Sequence, residues 1–115
     1  LQNYHPNDLK QLSQCVCYDC EQLKEAFPQA RIILVTPPQN NKTSVDDQIW
    51  VGNLIEGCAQ ELGLSCIRVD KEFQVFYGPN IVRQGYSRDG VHTTPKGAKV
   101  LGQFIYDQVK QLLQQ

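Results

Sequence analysis

The chain contains no methionine, a single tryptophan and no surplus of charge of either sign. Eleven basic and twelve acidic side chains give a formal charge of −1. Bulk electrostatics therefore supply no reason to expect nucleic acid as a partner of this segment. No apolar run approaches the ~20 residues a membrane span needs, and no signal peptide opens the chain. The missing methionine and the leading Leu1 give it the look of an excised or cleaved piece. Its 115 residues suffice for one core, so a single domain over residues 1–115 is expected.

Cysteine is present in odd number: Cys15, Cys17, Cys20, Cys58 and Cys66. They cannot all pair within the chain. Cys15-x-Cys17-x-x-Cys20 invites a zinc reading, but the segment also fits a helix, on which three cysteines so spaced do not face one point. Buried or half-buried free thiols are the expected state. Reduced thiols favour a cytoplasmic setting.

Along the chain, apolar periodicity marks the elements. Leu12, Val16, Cys20, Leu23 and Phe27 recur at helical steps, predicting a helix over about 9–27 that Pro28 ends. Asn7 or Asp8 is placed to cap it. The run Ala30–Thr36 is β-branched and apolar on both faces, as a strand buried in a parallel sheet is. A second helix starts at a Thr43 or Ser44 cap, has Val51, Leu54, Ile55, Cys58 and Leu62 on its inner face, and stops at Gly63. Trp50 falls outside that face and is expected to pack under a neighbouring loop. Ser65–Val69, ending at Asp70, is a second strand, and strand, helix, strand implies a right-handed crossover. Residues 71–83 read as loop or short helix; their aromatics Phe73, Phe76 and Tyr77 suit core packing better than a pocket wall. Tyr86 is a candidate for a pocket edge, and Leu1–Tyr4 for the end of a third strand.

The chemistry lies in Ser87-Arg88-Asp89-Gly90-Val91-His92-Thr93-Thr94-Pro95-Lys96-Gly97-Ala98. Thr94 is a good N-cap and Pro95 suits the first helical position. Val100, Leu101, Phe104, Ile105, Val109, Leu112 and Leu113 then make one apolar face. An imidazole can take a proton from a hydroxyl and pass it on, and a carboxylate on its other nitrogen fixes the tautomer. The spacing alone fits two things: such a pair, or a surface loop in which Asp89 makes an Asx-turn and His92 is solvated.

Asp89-Gly90-Val91-His92, a short polar stretch with Pro95, then Gly97 and a terminal helix resembles the last motif block of the SGNH (GDSL-type) hydrolases. Several expectations follow from that resemblance. Asp89 would orient and His92 would act as general base in a Ser-His-Asp triad. Asn7-Asp8 resembles the end of the family's G-x-N-D block, so Asn7 would donate to the oxyanion, although His5 stands where the family has Gly. The fold would be a three-layer α/β/α sandwich with a parallel sheet, flavodoxin-like, of which the N-terminal strands are absent from this stretch. No metal or cofactor is implied, and the substrate would be a small acyl ester or lipid. Asn7-Asp8-Leu9-Lys10, Ser13-Gln14 and Tyr18-Asp19-Cys20-Glu21-Gln22-Leu23 further resemble SGNH-like esterase domains of vertebrate non-LTR retrotransposons, which implies a eukaryotic, intracellular protein.

The family's Gly-Asp-Ser block is not among these residues. Ser13, Ser44, Ser65 and Ser87 all lie in other contexts. The resemblance therefore implies a nucleophile outside this stretch, and a chain that is inactive alone. The competing expectations are a non-catalytic interaction module of the same fold and, more weakly, a zinc module on Cys15, Cys17 and Cys20.

A sheet lacking its neighbouring strands has an open edge. Expressed as it stands, the chain is expected to self-associate or to be marginally stable. Sedimentation velocity with thermal scans checks this; a monodisperse, cooperatively unfolding monomer contradicts it.

Overall fold

Two short parallel strands and the helices that follow each of them organise the molecule. A computed structural model describes the backbone of residues 6–115 and the side chains from residue 10 onward. The expected third strand near Tyr4, His5 and the side chain of Asn7 lie outside the described residues.

Helix α1 (Pro6–Ala26) starts earlier than the periodicity suggested and ends just before the Phe27 turn. Strand β1 (Ile33–Val35) and strand β2 (Ser65–Ile67) pair in parallel, with Leu34 opposite Cys66. Both are shorter than expected: after Ile67 the chain turns directly into α3 (Val69–Glu72). Thr36 extends the ladder by one bond, its N–H donating to Ile67 O at 3.0 Å. Helix α2 (Val45–Leu62) makes the crossover. Ser44 is its N-cap, accepting from Asp47 N–H, and Gly63 closes it in the left-handed conformation. A 3₁₀ turn (Gln74–Phe76) and α4 (Asn80–Arg83) lead to the loop before α5 (Pro95–Leu113).

The core forms where α5 lays its apolar face on β2 and the turns after it. Ile67, Val69, Phe73, Phe76 and Ile81 are buried there, packed by Val100, Leu101, Phe104 and Ile105. Phe73 and Phe76 meet edge-on at 4.9 Å. Tyr86, half-buried, packs against them with its ring 5.6 Å from that of Phe76. Helix α1 packs on α2, and Lys24 Nζ donates to the terminal Leu62 carbonyl at 3.0 Å. The predicted inner face of α1 divides: Cys20 is buried, whereas Leu23 and Phe27 stay 45% and 60% exposed. Trp50, expected to pack under a neighbouring loop, is half exposed.

The cysteines correct part of the free-thiol reading: Cys20 is a buried and Cys66 a half-buried free thiol, and Cys15 is free but exposed, whereas the other two are paired. Cys17 and Cys58 form a disulfide that ties α1 to α2 across 41 residues. A bond of this kind belongs to oxidising surroundings, which removes the ground for a cytoplasmic setting. Because Cys17 is spent in it, Cys15, Cys17 and Cys20 do not present three thiolates to a metal. Cys20 and Cys66 remain free, and burial, aided by nearby carboxylates, pushes both thiols up, Cys66 to about 11. No helix among the described residues is long and apolar enough to cross a membrane.

At the C-terminal ends of both strands sits a buried ion pair. Arg68 Nε and Nη2 each donate to Asp70 at 2.8 Å, one to each carboxylate oxygen. Thr36 Oγ1 adds a bond of 2.7 Å to Asp70 Oδ1. Arg68 also reaches Glu56 and the Ile49 carbonyl on α2. Burial alone would raise the Asp70 carboxyl, but the hydrogen bonds from Arg68 and Thr36 outweigh it and hold the group below its ordinary value.

Helix α2 crosses this pair at Gly52, where an added Cβ would stand 2.2 Å from Asp70 Oδ2. Gly57, on the same helix, has open space at that position. The two alanine variants should therefore move stability in opposite directions in urea denaturation. Gly57→Ala is expected to stabilise by roughly 0.5–1 kcal/mol through helix propensity. Gly52→Ala is expected to destabilise by about 1–3 kcal/mol through overpacking. Shifts of the same sign would show that α2 does not rest on the pair in this way.

Candidate active site

The segment between α4 and α5 folds into a closed loop. Ser87 and Thr93 form an antiparallel bridge across its neck. At the base, Thr94 caps α5 by accepting from Gly97 N–H, and its hydroxyl donates to Gly85 O at 2.6 Å. Gly97 is required there by close approach, since a Cβ would meet the Tyr86 carbonyl oxygen at 2.1 Å. Loop and helix are thus locked together at the point where Pro95 begins α5.

Within the loop, Asp89 uses its two oxygens for different work. Oδ1 accepts the backbone N–H groups of Val91 and His92, each at 2.8 Å, which is an Asx-turn. Oδ2 lies 2.6 Å from His92 Nδ1. The two meanings of the spacing are therefore both realised in one residue. An ionised carboxylate only accepts, so Nδ1 carries a proton, and in the neutral ring Nε2 is then the acceptor. The imidazole side chain is 85% exposed, and an open depression of about 370 Å³ surrounds it, lined by Arg88, Thr93 and Pro95 with the pair itself.

The bond from the His92 ring, then the His92 and Val91 amides, and lastly the Ser87 hydroxyl hold the Asp89 carboxyl well below its ordinary range. Ser87 is buried, accepting from Gly90 N–H at 2.9 Å and donating to Asp89 Oδ1 at 3.2 Å. It braces the loop and is not aimed at His92. Elsewhere, Ser44 caps α2, Ser65 pairs with Arg31 and Ser13 lies against the Cys58 sulfur. No serine hydroxyl among the described residues pairs with the imidazole.

A second loop, residues 37–44 after β1, supports the first. Gly90 is buried with φ of 88°, and its carbonyl accepts from Asn41 N–H at 3.1 Å. The Asn41 carboxamide occupies the space a Gly90 Cβ would need, 1.6 Å from Oδ1. Gln48, from the first turns of α2, sets the shape of that loop through bonds to Asn40 N and to the Asn40 and Thr43 carbonyls. Sequence reasoning missed Asn41 and Gln48. They lie in a polar loop far along the chain from Asp89, and no spacing rule connects the two. Asn7, the expected oxyanion donor, belongs to the first turn of α1 by its backbone, and its side chain is outside the described residues.

No family model matches the chain, and neither does any curated protein. Among solved structures, the chain resembles one titled "Peptidoglycan O-acetylesterase in action, 5 min", with a TM-score of 0.77 at 19% identity. The likeness covers 93% of this chain and 33% of that one. The chain thus spans about a third of the protein it resembles. At this identity the likeness speaks for the fold alone, a mixed α/β arrangement shared with that protein.

A carboxylate held below its ordinary value keeps its hydrogen bonds until the pH falls through that lowered value. Unfolded, it would protonate near 3.8. Any order that the ionised Asp89 contributes to the loop is thus fully present above that pH and persists some way below it. Carboxyl-carbon NMR is expected to place the Asp89 midpoint below 3.8, with the Val91 and His92 amide signals shifting at the same point. A midpoint at or above the ordinary value would mean that the His92 contact is not maintained in solution.

Proposed function

We propose that this chain is the base-bearing part of an SGNH-type serine ester hydrolase, folded as one three-layer α/β/α domain with a parallel sheet. The observation that carries the reading is the 2.6 Å contact between Asp89 Oδ2 and His92 Nδ1, with Nε2 exposed on a braced loop. The fold likeness to a protein titled as an O-acetylesterase supports it, as does the motif block around Asp89.

In this reading a serine outside these residues attacks the ester carbonyl while His92 Nε2 takes its hydroxyl proton. Asp89 stabilises the imidazolium, and Asn7 donates to the oxyanion. Collapse of the tetrahedral intermediate expels the alcohol, which receives the proton from His92. Water then attacks the acyl-enzyme with His92 again as base, releasing the acid and the serine. Small acyl esters, an O-acetyl ester among them, are the substrate class. The retrotransposon-type esterase domain is the finer version of the proposal and rests on the Asn7–Leu23 run and on the compact loop between the second strand and Asp89.

Two observations favour a second reading, a non-catalytic interaction module. None of the four serines is paired with His92, and His5 replaces the glycine that the family uses as an oxyanion donor.

Fluorophosphonate labelling of the natural full-length protein, mapped by mass spectrometry, decides between them. An adduct is expected on a serine outside these residues. His92→Ala should abolish it and lower kcat by roughly 10⁴-fold or more. Asp89→Asn should cost about 10⁴-fold by inverting the tautomer. Absence of any His92-dependent adduct in a folded protein would remove the hydrolase reading in favour of the module.

A further inference from the structure

Two basic residues flank His92 in sequence, and the fold employs one of them. Lys96 Nζ donates to the Gln84 carbonyl at 2.7 Å and stands over the Tyr86 ring. Arg88 does neither. It is exposed, it lines the depression around His92, and it makes no hydrogen bond or ion pair with any of the described residues. The loop nevertheless fixes its place. Ser87 and Thr93 form the antiparallel bridge at the neck, and one residue further in the same register Arg88 stands opposite His92.

Most polar groups around this depression are already spent. Asp89 Oδ1 accepts from the Val91 and His92 amides and from the Ser87 hydroxyl, and Oδ2 takes the His92 ring. Thr94 Oγ1 donates to the Gly85 carbonyl and accepts from Gly97 N–H. Pro95 has no N–H to offer. Three groups remain. One is His92 Nε2, which the proposed chemistry uses. The second is the Thr93 hydroxyl. The third is the Arg88 guanidinium, a planar fork of N–H donors that is always charged. Asp89 is the one carboxylate lining the depression among the described residues, and both its oxygens are taken. A counter-ion for Arg88 therefore comes from outside the protein.

We infer that Arg88 binds an anionic group, a carboxylate or a phosphate, carried by the ester whose carbonyl is presented to His92. The guanidinium fork matches either group with two parallel bonds. An anion seated there also offsets the repulsion between Arg88 and the imidazolium that forms during proton transfer. A neutral ester leaves that repulsion standing. The depression measures about 370 Å³ and is open, so it takes a small charged ester or the charged end of a larger one. The inference rests on the hydrolase reading and narrows its substrate class from esters in general to anionic ones.

Binding is tested first, without turnover. The protein in its natural length, isotope-labelled in its arginine and histidine side chains, is titrated with benzoate, with phenyl phosphate and with benzamide as the neutral control. Saturable shifts of the Arg88 and His92 side-chain signals with an anion, and none with benzamide, are expected. The two anions separate a carboxylate site from a phosphate site. Arg88→Gln should weaken anion binding about tenfold. Arg88→Lys keeps the charge and loses the fork, so it should recover part of that loss. No saturable shift with either anion, or binding that Arg88→Gln leaves unchanged, overturns the inference. Turnover gives a second readout. The kcat/KM ratio of para-acetoxybenzoate to the neutral para-acetoxybenzamide should fall about tenfold in Arg88→Gln. An equal loss on both esters would place Arg88 at the reacting carbonyl and overturn the charge-selective role. The fluorophosphonate result is independent of the titration. Anion binding without a His92-dependent adduct sinks the hydrolase reading and with it the assignment to an ester. An adduct without anion binding sinks the Arg88 inference alone.

Discussion

The buried bidentate pair between Arg68 and Asp70 is the constraint on which the arrangement depends. A charge pair this deep gains little net stability over an apolar substitute, because each ion gives up its hydration. Its influence is geometric. It joins the end of β1 through Thr36, the turn after β2 through Arg68 and Asp70 themselves, and α2 through Glu56 and the Ile49 carbonyl. Removing either partner would leave the other buried and uncompensated, at a cost of about 3–5 kcal/mol. The short strands have few ladder bonds of their own, so the pair does much of what a longer sheet would do in setting where both strand ends stop.

The 37–44 loop that supports the His92 loop begins at one of those strand ends, the side on which open α/β sheets carry their sites. Residue Gln39 donates to the Asp70 carbonyl at 3.4 Å and Tyr77 does so at 2.7 Å, which brings the loop after β1 and the turns after β2 onto one anchor. From Gln39 the path runs through Asn40 and Gln48 to Asn41, and from Asn41 across to Gly90. The His92 loop is therefore held from two sides: by its own helix cap at Thr94, and by a neighbouring loop fixed to the ion pair.

The sequence disclosed those parts of this whose signals are local. Caps at Ser44 and Thr94, the stop at Gly63, the apolar face of α5 and the order of helices and strands all follow from residues a few positions apart. Asp89 and His92 were legible because their partners are each other. The long-range features were not. A Cys17–Cys58 bridge cannot be chosen from five cysteines without knowing that α1 lies on α2. Strand lengths were overread because Arg68 and Asp70 look like strand residues until their side chains are seen to pair and turn the chain. The packing of Tyr86 on the Phe76 ring was not legible, because an aromatic beside a polar loop carries no mark of the ring beneath it. Asn41 and Gln48 act through backbone groups, and contacts of that kind leave almost no trace in side-chain pattern.

Asp89 poses a particular problem of interpretation, because its two oxygens serve the fold and the proposed chemistry at once. An Asx-turn at Oδ1 would be present in a loop with no catalytic role, so the conformation of residues 89–92 is not in itself a sign of catalysis. The second oxygen is different. The turn is already satisfied by Oδ1, and the two amide bonds do not require an imidazole on Oδ2. A solvent-exposed histidine held at 2.6 Å gives up rotamer freedom without burying apolar surface. On a merely structural loop, water would serve Oδ2 as well. What the contact does provide is a fixed tautomer with a basic nitrogen on an exposed ring, which is the property that proton transfer from a hydroxyl requires. Ser87 strengthens the same argument from the other side. Being buried and bonded to both Gly90 and Asp89, it supports the loop that carries His92 and is not placed to serve as a nucleophile toward it.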